Sequence, residues 1–433
     1  MPLLEFFDEL AEQETEDMMT VLKKFYGPLL QISMLFPSWK RSMIPVSLFL
    51  GFLYVSLIFE HIGILFYTAW LALLDEEYDL ASLSAHYALL FIYSMFALVW
   101  VNKDRVLNNV NHTRFARDIA TYKSGRIYSD ERCEEIKKAI NRETYFFLMI
   151  PGFIVIVANC LIMVPYISKW VVGMKNPYTP QGVNLNLPIA CWLPFQSHAG
   201  FLHLAALSNQ LTAVGCLAVI IITLLFLFIK YSQKVRYELK VLHYGIETLF
   251  KRSKRLYFKM YPERKAIRFH WTDPVYQRVV GICLKDSILH HKTIVKILDV
   301  YMTMLSMPVA MAYVFGTAVI GLSLLSILNA LNQGNYPNVI LFALLCVGEI
   351  LNMLITSLIG ETLTHETIIL REELYFIEWH KLNVSNRKTM LNFQTAITEP
   401  LSLKAAGLVD MNMNTFSSIM NSAYSFFNLV NAQ

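Results

Sequence analysis

The chain has 433 residues, of which 55% are hydrophobic and only 16% charged. A soluble domain carries about 25% charged residues, and here the apolar residues come in blocks of about 20, so a soluble enzyme is excluded in favour of a polytopic membrane protein. The net charge of +4 is small and gives no sign of a nucleic-acid partner.

In chain order, Met1–Thr20 is acidic (Glu5, Asp8, Glu9, Glu12, Glu14, Glu16, Asp17), the opposite of the basic start of a signal peptide. Residues 1–43 are expected to be a cytosolic segment. Seven spans are predicted: Ile44–Leu74, Ala85–Val101, Tyr145–Val172, Ala206–Lys230, Thr293–Leu331, Val339–Ile359 and Asn412–Val430. The first and fifth exceed the length a bilayer needs, so they tilt or extend beyond it. The expected divisions are 44–359 for spans one to six, 360–411 for a cytosolic region and 412–433 for the terminal helix. The fold class is all-α, with seven transmembrane helices.

Lysine and arginine set the orientation. The loop Asn102–Glu143 has ten and Lys230–Lys292 has fifteen, whereas Asp75–Ser84 and Asn332–Asn338 have none. The positive-inside rule then places the N-terminus in the cytosol and the C-terminus outside. The long central loop has a helical, amphipathic pattern, expected to extend spans four and five into the cytosol with a solvated charged face. The sequons Asn111-His-Thr113 and Asn383-Val-Ser385 fall on the cytosolic side and should carry no glycan.

An inside N-terminus argues against a metabotropic seven-helix receptor. So does the absence of Asp-Arg-Tyr after span three, which ends Tyr166-Ile-Ser-Lys-Trp170, and of NPxxY in span seven. No catalytic motif is present: no HExxH, no GxSxG and no phosphate-binding glycine loop. The six cysteines form no CxxC pair, so neither zinc nor a disulfide framework is indicated. Cys191 stands in an outer loop as a free thiol. His290 and His291 are adjacent, so they point to different helix faces and do not share a metal. Glu60 and Glu349 lie deep in spans, where carboxylates usually face the bundle interior. They are read either as structural contacts or as coupling residues of a secondary transporter.

The terminal span carries no charge after Asp410. Its polar residues Asn414, Ser418, Asn421, Ser425 and Asn428 repeat with a period of about 3.5, on one helix face. Such a stripe does not face lipid: it bonds neighbouring helices or lines a watery path. A pore built from one such helix requires an oligomer.

Three C-terminal stretches resemble the insect odorant receptor family. Leu284-Lys-Asp-Ser-Ile-Leu-His-His291, running into Ile294-Val-Lys-Ile-Leu298, is similar to the family's Cys-Ile-x-x-His segment, with Ser287 for the Cys. Gly360-Glu361 through Glu366 to Tyr375 and Trp379 has the spacing of the motif after span six. Asn386-Arg-Lys-Thr-Met-Leu391, Pro400, Leu403 and Ala406-Gly407 lead to Ser422-Ala-Tyr-Ser-Phe-Phe427, which resembles the family's Tyr-Ser-x-Phe ending. Ala423-Tyr424 without a Gln-Phe ending departs from the related gustatory-type receptors.

The resemblance implies a ligand-gated cation channel in the plasma membrane of an olfactory sensory neuron dendrite, assembled as a heterotetramer with a shared co-receptor. The connection between spans four and five is shorter than the co-receptor's, so this chain would be the ligand-tuning subunit. The seventh segment is expected to be split: Ser385–Ile397 is a cytosolic anchor helix, stopped by Pro400, and Asn412–Val430 lines the pore. Asn421, Tyr424, Ser425, Phe427, Asn428 and Asn431 would form the pore and gate. A small volatile odorant would bind among the outer halves of spans two to six, where Tyr87, Phe91, Asn159, Met163, Thr212, Tyr313 and Phe342 offer an aromatic, mostly apolar lining. No cofactor and no metal are implied.

Overall fold

A computed structural model describes residues 32–35, 44–103, 130–172, 178–266 and 269–431. The expected sequon at Asn111 and most of the 1–43 segment lie outside the described residues. Among the described residues nine α-helices form: α1 Ile44–Leu74, α2 Tyr78–Lys103, α3 Asp130–Val172, α4 Gly200–Glu247, α5 Leu249–Met260, α6 Pro274–Asn332, α7 Tyr336–Phe376, α8 Val384–Ala396 and α9 Met413–Asn431. Of these, α1, α2, α4, α6 and α7 are long and apolar enough to cross a membrane. The chain is a multi-pass, mostly helical membrane protein.

Local chemistry fixes the helix starts. The Asp273 carboxylate accepts the Val275 amide at 2.9 Å, with Pro274 next in the first turn of α6. Asn335 and Asn383 cap α7 and α8 in the same way, accepting from Asn338 and Asn386. Each cap satisfies an amide the helix itself cannot. The connections α1–α2 and α6–α7 are tight turns, with Glu76 and Gly334 at positive φ, so those helices run antiparallel.

The helices outrun the bilayer. The 59 residues of α6 span about 88 Å at 1.5 Å per residue, nearly three times the hydrocarbon thickness. The expected helical extension of spans four and five is therefore present, as the lower part of α4, α5 and the first turns of α6. The expected boundary at residues 359 and 360 falls inside α7, which passes through it unbroken.

The core joins α1, α2, α4, α6 and α7. Phe91, Phe228 and Tyr301 are fully buried. The Tyr301 hydroxyl donates to the Phe228 carbonyl at 3.1 Å and lies 2.8 Å from Ser232 Oγ, binding α6 to α4.

The two ends of the bundle differ. At one end a short antiparallel hairpin, β1 Val183–Asn184 with β2 Cys191–Trp192, closes over α1 and α4. The Trp192 amide donates to Thr68 of α1 at 2.9 Å. Gln210 of α4 holds Ile189 by both of its backbone groups, at 2.7 and 3.3 Å. At the same end Asp79 of α2 accepts from Asn329 of α6 and Asn338 of α7 at 2.7 and 3.2 Å. At the other end charges converge. Arg236 of α4 pairs with Glu143 of α3 and with Glu366 of α7, and Lys240 also reaches Glu366 at 3.1 Å. Glu238 meets His290 at 2.9 Å with both side chains buried, while His291 packs edge-on against Phe393 of α8. The two histidines do face different neighbours.

A second small hairpin, β3 Lys404–Ala405 with β4 Val409–Asp410, leads from α8 to α9. Its turn places Ala406 and Gly407 at positive φ. The Ala406 amide donates to the Ser306 carbonyl of α6 at 3.0 Å. This docking point lies beside Pro308 inside α6, where a missing N–H loosens the helical bond ladder. Just beyond it, Gly360 of α7 touches the backbone of Met411 so closely that a Cβ would collide with it.

Candidate functional site

Two regions carry the chemistry: the α2-centred aromatic core and the surface of α9. On α2, Ser84, Tyr87, Phe91 and Ser94 recur at helical spacing and all are buried. Among the described residues the hydroxyls of Ser84 and Ser94 have no hydrogen-bond partner. Buried hydroxyls are normally satisfied, so these two, on the helix that carries the two rings, are each open to a further hydrogen-bond partner. Neither serine stood out in the sequence, although the seven-residue step from Ser84 to Phe91 and from Tyr87 to Ser94 was readable.

The expected ligand residues divide. Tyr87, Phe91 and Tyr313 belong to one buried cluster, and the Tyr313 hydroxyl lies 3.0 Å from Ser357 Oγ of α7. Phe342 is buried outside that cluster. Met163 is half-buried on α3, and the side chain of Asn159 lies outside the described residues. Thr212 is exposed, its hydroxyl returned to the Ser208 carbonyl at 2.8 Å.

A cavity of about 520 Å³ lies elsewhere, between α1, α4 and the first hairpin. Glu60, His61, Ile64 and Leu65 line it from α1, Cys191 to Phe195 from the hairpin side, and Asn209 and Gln210 from α4. None of the seven expected ligand residues borders it. Glu60, expected to face the bundle interior, stands at the chain surface in this cleft. Its carboxylate accepts from Asn209 Nδ2 at 3.0 Å. Glu349 is half-buried, against α6: a Cβ added to Gly316 would sit 3.4 Å from its Oε2. Cys191 is a buried free thiol held by Gln210 Nε2 at 3.1 Å. Burial pushes it up to about 12, so it is protonated and inert at neutral pH.

On α9 the polar stripe is exposed throughout: Asn414, Ser418, Asn421, Ser425 and Asn428 all point away from the chain. The opposite face carries Phe416, Ile419, Met420 and the buried Ala423, packed into the core. Among the described residues no side chain of the stripe bonds another helix; Ser422 beside it returns its hydroxyl to Ser418 within α9. Of the expected gate residues, Phe427 is half-buried and stacks on the exposed ring of Tyr424, with centroids 6.2 Å apart. The side chain of Asn431 lies outside the described residues.

Comparison with known proteins matches a family model, the 7tm odorant receptor, over residues 89–424. Among solved structures, the insect olfactory receptor OR5 from Machilis hrabei in complex with eugenol superposes with a TM-score of 0.71. The identity is 13%, over 96% of this chain and all of that one. A second structure of OR5 from Machilis hrabei gives a TM-score of 0.69 at 14% identity, over 95% of this chain and 98% of that one. At such identity the likeness is one of fold.

Proposed function

The chain belongs to the 7tm odorant receptor family, and from that premise we propose that it is the ligand-tuning subunit of an odorant-gated, non-selective cation channel. Seven spans cross the plasma membrane, with α3 and α9 joining the five most apolar helices. The N-terminus is cytosolic and the C-terminus outside. Four chains, some of them the shared co-receptor, surround a pore lined by α9.

The observation that carries this reading is the outward-facing stripe of α9. A row of amides and hydroxyls turned away from its own bundle needs water or a partner helix, because lipid satisfies neither. In a ring of subunits the stripes converge on an axis. There neutral dipoles favour water without selecting strongly for charge.

The odorant occupies the α2-centred core among Tyr87, Phe91 and Tyr313, with Asn159, Met163, Thr212 and Phe342 as further candidate contacts. The orphan hydroxyls of Ser84 and Ser94 support a ligand with one small oxygen function. Binding opens the pore only to the extent that it is tighter in the open state.

Whole-cell current in cells producing this chain with and without the co-receptor tests the proposal. Odorant-evoked current is expected only with both, and Asn428→Leu and Phe427→Ala should alter conductance or resting current. Currents indifferent to both substitutions would remove α9 from the pore.

A further inference from the structure

The cleft between α1, α4 and the first hairpin holds a feature the odorant site does not use. Glu60 lies within the apolar helix α1, one residue from Phe59 on the outward face. A carboxylate at membrane depth is costly unless paired. Here its hydrogen bond comes from a neutral amide, Asn209 Nδ2. Among the described residues His61 is the one basic side chain lining the cleft, and its Nδ1 is committed to the Leu57 carbonyl at 2.8 Å. Apart from Gln210 and Cys191, the remaining wall is apolar and aromatic, with Leu65, Trp192 and Phe195. A volume of about 520 Å³ falls in the range that encloses small ligands.

We propose that this cleft is a second ligand site, for apolar amines, in which Glu60 receives the ammonium group. An ammonium supplies the charge that Asn209 lacks, and the attraction is stronger beside lipid than in water. Trp192 and Phe195 offer ring faces to the cation or to the hydrocarbon part. The His61 ring packs at 5.3 Å against Phe91 of α2, so an occupant lies one side chain from the odorant core. The site does not depend on the channel reading, because binding is read without current.

The test uses the full chain purified in detergent, with 2-phenylethylamine and the neutral 2-phenylethanol as probes. The amine is expected to bind with a measurable Kd that Glu60→Gln weakens about tenfold, while the alcohol's affinity is unchanged by that substitution. Asn209→Leu, which frees the carboxylate, should retain or tighten amine binding. An unchanged melting temperature in each variant separates loss of the site from loss of the fold. Equal binding of amine and alcohol, or an amine affinity untouched by Glu60→Gln, overturns the proposal. Amine binding abolished by phosphatidylethanolamine vesicles but kept in phosphatidylcholine vesicles also overturns it, because a lipid headgroup amine is then the natural occupant.

Discussion

Asp273 does two things at the start of α6. One oxygen caps the helix through the Val275 amide, and the other accepts from the Tyr257 hydroxyl at 2.6 Å and from Arg264 at 2.8 Å. Burial works to raise its carboxyl, but Tyr257, the Val275 amide and Arg264 outweigh burial and hold it below the usual value of 3.8. A lowered folded pKa stabilises above the unfolded value. That contribution is therefore complete at neutral pH and is lost as pH falls below 3.8 and through the folded value. Asp273→Ala should cost about 1 kcal/mol as a lost cap, seen as a lower melting temperature at pH 7. The gap to the parent protein should close in acid; a constant gap across the titration would mean the charge is irrelevant. The sequence reading did not single out Asp273-Pro274 as a helix start, and its partners were hidden as well, because Tyr257 of α5 and Arg264 just after it reach Asp273 only when the chain folds back.

At the level of elements, the spans are read closely where hydrophobicity alone decides. The expected Ile44–Leu74 is α1, while the helix α8 at Val384–Ala396 stands where the family resemblance, not hydrophobicity, implied one at 385–397. The continuation of α4 and α6 beyond the apolar layer was expected from the amphipathic central loop, but α7 runs past its expected end at 359 to Phe376, because hydropathy records where lipid stops and says nothing of where the hydrogen-bond ladder stops. Helix faces are harder still. Spans that are apolar all round carry little amphipathic signal, so Thr212 and Phe342 could not be told apart, whereas the polar repeat of α9 made its outward face legible. The α7–α9 contact was hidden entirely, since Gly360 meets Met411 only in the folded chain. Gly360→Ala should force α9 away from α7 at its first turn. The expected result is a lower melting temperature, by roughly the 1–3 kcal/mol typical of overpacking, and a changed resting current. An Ala variant as stable as the parent would mean that the start of α9 moves freely.

At the scale of the whole molecule, the chain leaves apolar surface uncovered beside α8. Phe376, Trp379 and Leu391 are exposed by 78%, 57% and 61%. In the proposed assembly, exposed apolar side chains of this size are where a neighbouring subunit would pack. Leu391→Glu combined with Phe376→Ser should lower the assembled mass in detergent, measured by light scattering. The melting temperature of the single chain should barely change, since both side chains are already exposed. Retention of full mass would place the subunit contact elsewhere.

The joint at Ser306 and Ala406 has a geometric consequence. Around it the first turn of α9 is fixed at three further points: Met411 to Leu403, Met413 to Glu361, and the glycine at 360. Toward its other end, Asn428 and Leu429 stand exposed. In the proposed gating, a helix held this way at Met413 would act as a lever, its packed face of Phe416, Ile419, Met420 and Ala423 shifting against the core as it tilts. Phe427 lies about 21 Å along it, so a tilt of about 5° would carry that ring nearly 2 Å sideways. A displacement too small to disturb the packing of α6 at Pro308 is multiplied along the arm into one comparable to the radius of an ion.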